Sequence, residues 1–308
     1  MNESLKTADG RQVLRIERRL PHPPEKVWPA VTEPEHLREW FPAEVRLDPR
    51  VGGRMTFSFG SAAEDAPESV GRVDAYDPPR LFAFSWEEEL FRIELHPDGP
   101  GCLLVFSHVF DDRAGAASFA SGWQICLETL DGLLDGRAAD HSLRPSARLH
   151  ESYVERFGLA DGVVETTGDG WRVRFERQLT RPAEAVWAVL GGTAARGGTT
   201  TQDGTAAPGG TAASGRPPAG FTTDEFPAGQ VTALDAPTLL EYAWEAAGAP
   251  AGRIRWHLTE GTGHGARLVL EQTGPAGTAG NGATALAAWR ARIEPLARQL
   301  AEEADRQP

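Results

Sequence analysis

Three blocks of this chain occur twice, in one order. Arg15–Val31 (RIERRLPHPPEKVWPAV) returns as Arg174–Leu190 (RFERQLTRPAEAVWAVL), and Gly71–Glu87 (GRVDAYDPPRLFAFSWE) as Gly229–Glu245 (GQVTALDAPTLLEYAWE). Trp123–Leu134 (WQICLETLDGLL) returns as Trp289–Leu300 (WRARIEPLARQL). The offset drifts only from 159 to 158 to 166 residues, so the recurring unit is a whole domain and not a short solenoid repeat. A chain of 308 residues has room for about two domains. Each copy is long enough to bury a core without disulfides or metal.

Within the first copy, Val13–Leu20 alternates apolar and charged residues, the mark of a half-buried strand. Pro23-Pro24-Glu25 then opens a short helix carrying Val27, Trp28 and Val31, since proline suits the first helical position and an acid suits the first turn. Thr32-Glu33-Pro34 starts a second short helix that ends in Trp40-Phe41-Pro42. Six strands are expected next, at Glu44–Leu47, Arg54–Phe59, Ser69–Tyr76, Leu81–Trp86, Leu90–His96 and Cys102–Phe110. Gly- and Pro-rich breaks separate them, which suits an antiparallel meander. Phe91, Ile93 and Leu95 share one face of their strand, so something apolar must cover it. Trp123, Leu127, Leu130 and Leu134 supply that cover as one stripe of a terminal helix. The second copy repeats both devices with Ile254, Trp256 and Leu258 on a strand and Trp289, Ile293, Leu296 and Leu300 on a helix. The fold class is therefore α+β, a curved antiparallel sheet against one long helix, in tandem.

The second copy is damaged. Nothing in it matches Trp40-Phe41-Pro42 or the Gly52–Phe59 hairpin, and residues 191–220 are almost wholly Gly, Ala, Thr and Pro. Such a composition cannot bury enough apolar surface to order itself, so a flexible insertion is expected there. The expected limits are a complete domain at 1–137, a linker at 138–162 and a degenerate domain at 163–308. The linker is expected to carry a short helix, Leu149–Phe157, with Tyr153, Val154 and Phe157 available to dock on a domain.

Composition removes several function classes. A net charge of −13 argues against a nucleic-acid partner, because phosphate recognition needs clustered Lys and Arg. The N-terminal residues are polar and no apolar run reaches membrane-spanning length, so no membrane association and a cytoplasmic location are expected. The two cysteines, Cys102 and Cys126, sit in apolar surroundings and read as buried thiols. No metal site and no cofactor are expected: the histidines do not cluster, and Gly-x-Ser-x-Gly, HExxH, Walker and strand-linked GxGxxG motifs are absent. No catalytic residue is assigned.

The order PxEKVWxAVTEPEHLREWF, GGRMxFxF, GRVxxYDPPRLFAFSW, LLVFSHVF and GWxxxLExL resembles the START-like SRPBCC superfamily. Within it, the wording is most similar to the family named after the activator of the heat-shock protein 90 ATPase, an AHSA-like pattern. The resemblance spans Arg11–Gly136 through several blocks and Gly170–Ala301 more thinly, through Pro182–Trp187, Gly229–Trp244 and Trp289–Leu300. It implies a helix-grip fold, with a cavity between helix and sheet.

That cavity directs the choice of site residues. Tryptophans present in both copies read as fold-holding, so residues peculiar to the first copy are the better ligand candidates. Trp40, Phe41, Met55, Phe57, Phe59 and His108 form that set, with Phe84, Phe106, Trp123 and Leu127 as further cavity candidates. The same residues would equally fill a solid core. His108 shares a strand face with Leu104, Phe106 and Phe110, either as a group projecting into the cavity or as a hydrogen-bonded histidine near the strand end. Its counterpart in the second copy is Gln272. The leading expectation is a non-enzymatic protein that binds a hydrophobic small molecule in its first domain. One alternative is a polyketide cyclase/aromatase-like enzyme with His108 as base and Arg54 or Arg72 steering a carbonyl. The other is a co-chaperone-like interaction module, a protein partner that the family name invites and no motif supports.

Overall fold

The computed structural model describes residues 2–59, 68–140, 142–192, 215–276 and 279–306. Of the insertion expected at 191–220, residues 193–214 lie outside the described residues. The chain divides into two compact units, Met1–Pro145 and Ser146–Pro308.

The first unit is an eight-stranded antiparallel sheet in the order β1-β2-β8-β7-β6-β5-β4-β3. Its strands are β1 (Asn2–Ala8), β2 (Arg11–Leu20), β3 (Glu44–Leu47), β4 (Arg54–Ser58), β5 (Ser69–Asp77), β6 (Leu81–Trp86), β7 (Glu89–Asp98) and β8 (Gly101–Phe110). Helices α1 (Pro24–Thr32) and α2 (Pro34–Leu37) separate β2 from β3, and α3 (Ala116–Leu134) follows β8. Trp123, Leu127, Leu130 and Leu134 are buried along α3, and Phe91, Ile93 and Leu95 are buried along β7. Each large apolar side chain so buried contributes about 1.5–3 kcal/mol. The helix and the sheet thus hide one another's apolar faces.

The strand β1 was not expected. Its signal is Asp9-Gly10, a two-residue loop with both residues in the left-handed region (φ 50° and 82°), joining Ala8 to its partner Arg11. Asp-Gly is favoured in such a turn, because its twist matches that of the flanking strands. The polar composition of residues 2–8 hid the strand, since it sits at the sheet edge with one neighbour only.

The second unit has six strands in the order β11-β12-β13-β14-β10-β9. They are β9 (Val163–Thr167), β10 (Gly170–Leu179), β11 (Ala228–Asp235), β12 (Leu239–Ala246), β13 (Ala249–Glu260) and β14 (Ala266–Pro275). Helix α4 (Ala147–Arg156) precedes them, α5 (Ala183–Gly191) follows β10, and α6 (Ala279–Arg306) follows β14. The order matches that of the first unit from β1 to β5, with no counterpart of β3 and β4 among the described residues. Ile254, Trp256, Leu258, Trp289, Ile293, Leu296 and Leu300 are all buried. The helix expected within the linker is α4, and it falls inside the second unit, with Tyr153 and Val154 buried. Ser146 caps it by accepting from Leu149 N–H at 3.1 Å, and the carboxylate of Asp305 on α6 accepts from Ala147 N–H at 2.7 Å. No helix among the described residues is long and apolar enough to cross a membrane.

Candidate functional site

A pocket of about 760 Å3 opens in the first unit, between the end of the sheet and the N-terminal half of α3. Three stretches build it. The turn from β6 to β7 contributes Trp86, Glu87, Glu88, Glu89 and Phe91; β8 and the residues after it contribute His108, Asp111 and Asp112; α3 contributes Ser118, Phe119, Gly122, Trp123 and Cys126. Arg11, Pro42, Phe59 and Ser69 complete the wall. The residues on α3 recur at helical spacing, which is why one face of a single helix can close one side of the cleft.

His108 is the buried polar group of this wall, with 1% of its surface exposed. The indole N–H of Trp123 donates to its Nδ1 at 3.2 Å. An indole N–H can only donate, so Nδ1 holds a lone pair and the single ring proton sits on Nε2. Nε2 then donates to Oε2 of Glu89 at 2.7 Å. The imidazole is stacked on Phe91 (4.3 Å between centroids) and met edge-on by Phe119 (4.9 Å). Burial pushes its pKa below the ordinary value of 6.5, and Glu89 opposes that shift without overcoming it. Protonation would also set an Nδ1–H against the N–H of Trp123. The imidazole is therefore neutral at pH 7.

Both ring nitrogens are engaged, which makes His108 a hydrogen-bonded strand histidine facing the pocket. The second unit repeats half of this arrangement: Trp289 donates its N–H to Oε1 of Gln272 at 2.5 Å. The Trp-to-strand hydrogen bond thus occurs in both units, and the histidine with its glutamate occurs in one. A His108→Gln variant keeps an acceptor for Trp123 and a donor for Glu89, so stability at neutral pH is expected to change by less than about 1 kcal/mol. The pH dependence is expected to change more. Because the folded imidazole refuses a proton that the unfolded chain binds, stability rises with pH from the lowered folded pKa up to about 6.5 and is lost as pH falls through that window. The slope is at most about 1.4 kcal/mol per pH unit. Urea denaturation between acid and neutral pH should show this slope in the native protein and a smaller one in the glutamine variant, where His264, also held below its ordinary value by burial, still contributes. An unchanged slope would place the titrating group elsewhere.

Of the residues expected to line a cavity, Phe59, His108 and Trp123 line this pocket. Phe59 is 55% exposed and stacks on Trp86 at 5.6 Å. Trp40, Phe41, Met55, Phe57, Phe84, Phe106 and Leu127 are buried outside this pocket, and Phe41, Met55, Phe57 and Phe84 border a separate small internal void. Trp40 is held there by donating its N–H to Ala30 O at 2.9 Å, and Phe57 lies flat against Trp86 at 4.3 Å. Residues that sequence reasoning passed over are Glu89, Phe119, Gly122 and Cys126. Phe119 stands one turn before Trp123, so extending the helical stripe toward the N-terminus would have found it, whereas Gly122 and Cys126 lie in the row beside that stripe. Burial pushes Cys126 up to about 12 and Cys102 up to about 11, and both are free, protonated thiols. No group of three or more His, Cys, Asp or Glu suited to a metal ion occurs among the described residues.

In the second unit three aromatic side chains crowd the equivalent place, beside an open cleft of about 550 Å3 lined by Trp171, Gly252 and Thr273. Trp171 takes the strand position of Gln12, and Gly252 takes that of Glu89. With no side chain at 252, the Trp244 indole reaches Thr273 O and donates to it at 2.8 Å. Phe226, beside the start of β11 as Ser69 is at the start of β5, meets Trp244 edge-on at 5.1 Å. Trp171 lies 6.1 Å from Trp244, and all three rings are buried.

The family comparison falls on the first unit. Residues 21–135 match the model of the family described as "Activator of Hsp90 ATPase homolog 1-like protein". No curated protein matches the chain. Among solved structures, a conserved protein of unknown function from Enterococcus faecalis is similar at 21% identity, over 50% of this chain and 89% of that one, with a TM-score of 0.44. CalU16 from Micromonospora echinospora is similar in its crystal structure at 22% identity, over 51% of this chain and 95% of that one, with a TM-score of 0.39. Residues 21–135, the part of the first unit that lays α3 over the antiparallel sheet, are thus similar to the Activator of Hsp90 ATPase homolog 1-like family.

Proposed function

We propose that the first unit is a non-catalytic binding domain that holds one small hydrophobic molecule in the pocket between α3 and the β6–β7 turn. The observation that carries this reading is the pocket itself. Its volume of about 760 Å3 lies within the usual range for ligand sites, and Phe59, Trp86, Phe91, Phe119 and Trp123 give it aromatic walls. Aromatic walls with a few fixed polar groups are what an apolar ligand needs, because burial drives binding and the polar groups orient it.

The cyclase alternative needs an imidazole lone pair open to the cavity. Both nitrogens of His108 are taken, one by Trp123 and one by Glu89, so the geometry supports a binding role better. In the second unit Trp171, Phe226 and Trp244 stand where the first unit keeps its cavity, which supports a structural role for that unit. Titration of the full-length protein with Nile red, together with native mass spectrometry, tests the reading. Saturable binding at one molecule per chain is the expected result. Emission that never saturates, with no mass adduct for any apolar compound, would reject it.

A further inference from the structure

The pocket has apolar walls, yet one sign of charge dominates its wall and mouth. Glu87, Glu88 and Glu89 line it in sequence, and Asp111 joins them from the end of β8. Arg11 is the single Lys or Arg among the lining residues, and it is already committed. Its Nε donates to Asp111 Oδ1 at 2.8 Å and its Nη2 to Glu88 O at 2.8 Å. An anionic ligand would therefore find no spare cation in the wall.

Glu89 is the informative group. Its Oε2 accepts from the Nε2–H of a histidine that stays neutral because Trp123 occupies the other nitrogen. A neutral donor leaves the carboxylate with its full negative charge, in contrast to an ion pair. That charge lies in a wall shared with the rings of Trp86, Phe91 and Phe119, whose faces also attract cations. A carboxylate beside apolar surface is screened less than one in water, so it discriminates more strongly between head groups of different charge.

Resting on the binding role proposed above, we infer that this pocket selects hydrophobic molecules carrying a protonated amine over neutral and anionic molecules of the same shape. The amine would pair with Glu89 near the Glu87–Glu88 turn, and the apolar body would lie against Trp86 and Phe119.

The test is displacement of Nile red from the full-length protein at neutral pH by three size-matched probes. They are 1-naphthylmethylamine, 1-naphthylmethanol and 1-naphthoate. The amine is expected to bind roughly tenfold or more tighter than the alcohol, and the carboxylate weakest of the three. Glu89→Gln should remove most of the amine's advantage over the alcohol, read as the ratio of the two affinities in each protein. If that variant does not fold, raising the salt concentration on the native protein gives the same reading, weakening the amine and sparing the alcohol. Equal binding of amine and alcohol would overturn the inference, as would an amine preference untouched by Glu89→Gln or, where that variant fails to fold, by salt. In those cases the bound Nile red would show that the binding role itself survives. Failure of Nile red to bind would instead fall on that role.

Discussion

A tryptophan at position 122 is expected to weaken Nile red binding by roughly tenfold or more, about 1.4 kcal/mol or above. Gly122 lies on α3 among the pocket-lining residues, and a Cβ built there meets nothing within 4 Å. A large side chain can therefore grow into the cleft without striking backbone. The protein should not lose stability, because glycine inside a helix costs about 1 kcal/mol relative to alanine and any ordinary residue recovers part of that. Gly122→Ala is the companion. It should raise stability by up to about 1 kcal/mol and leave binding nearly unchanged, since one methyl occupies little of the pocket. Dye titration and urea denaturation of the three proteins separate the two effects. Full binding in the tryptophan variant would mean that ligands do not enter this cleft.

That prediction turns on a residue the sequence did not single out. The framework was legible because it is periodic: Phe91, Ile93 and Leu95 on a strand, and Trp123, Leu127, Leu130 and Leu134 on a helix, announce their burial by spacing alone. The strands β3 and β6 could be read to the residue, since prolines stand just before each of them and Pro49 just after β3. A cavity has no such signal. Phe57 and Phe59 differ by two positions and look equivalent in sequence, yet one is fully buried under Trp86 and the other, just past the end of β4, is 55% exposed at the pocket. Which aromatic fills space and which borders it depends on how the strands curve. Glu89 could not be paired with His108 either. They are 19 residues apart and meet only because the sheet brings the start of β7 beside the end of β8.

Placing a glutamate at position 252, to copy Glu89 into the second unit, should cost that unit about 3 kcal/mol or more. A Cβ at Gly252 would lie 2.0 Å from Thr273 O and 2.4 Å from the Trp244 nitrogen. The indole must then leave, its hydrogen bond to Thr273 breaks, and its contacts with Trp171 and Phe226 are lost together. Urea denaturation with protection of the β13 and β14 amides from hydrogen exchange would measure the loss. The variant should gain no Nile red site, because Trp171 and Phe226 still occupy the space. A change below about 1 kcal/mol would show that the indole is not wedged against residue 252.

The link between Glu89 and His108 also bears on how the sheet finds its alignment. Side chains alternate faces along a strand, so sliding β7 past its neighbours by one residue would turn Leu90 toward the imidazole and Glu89 away from it. Such a slip would bury Nε2–H with no acceptor, at a cost of about 1–3 kcal/mol, on top of exposing Phe91, Ile93 and Leu95. The pair that gives the pocket its charge therefore acts as a key that fits one pairing of the strands. The second unit has surrendered that key, with glycine at 252 and glutamine at 272. Correct alignment there falls to interlocking bulk, in which only one register lets Trp244, Trp171 and Phe226 close on each other.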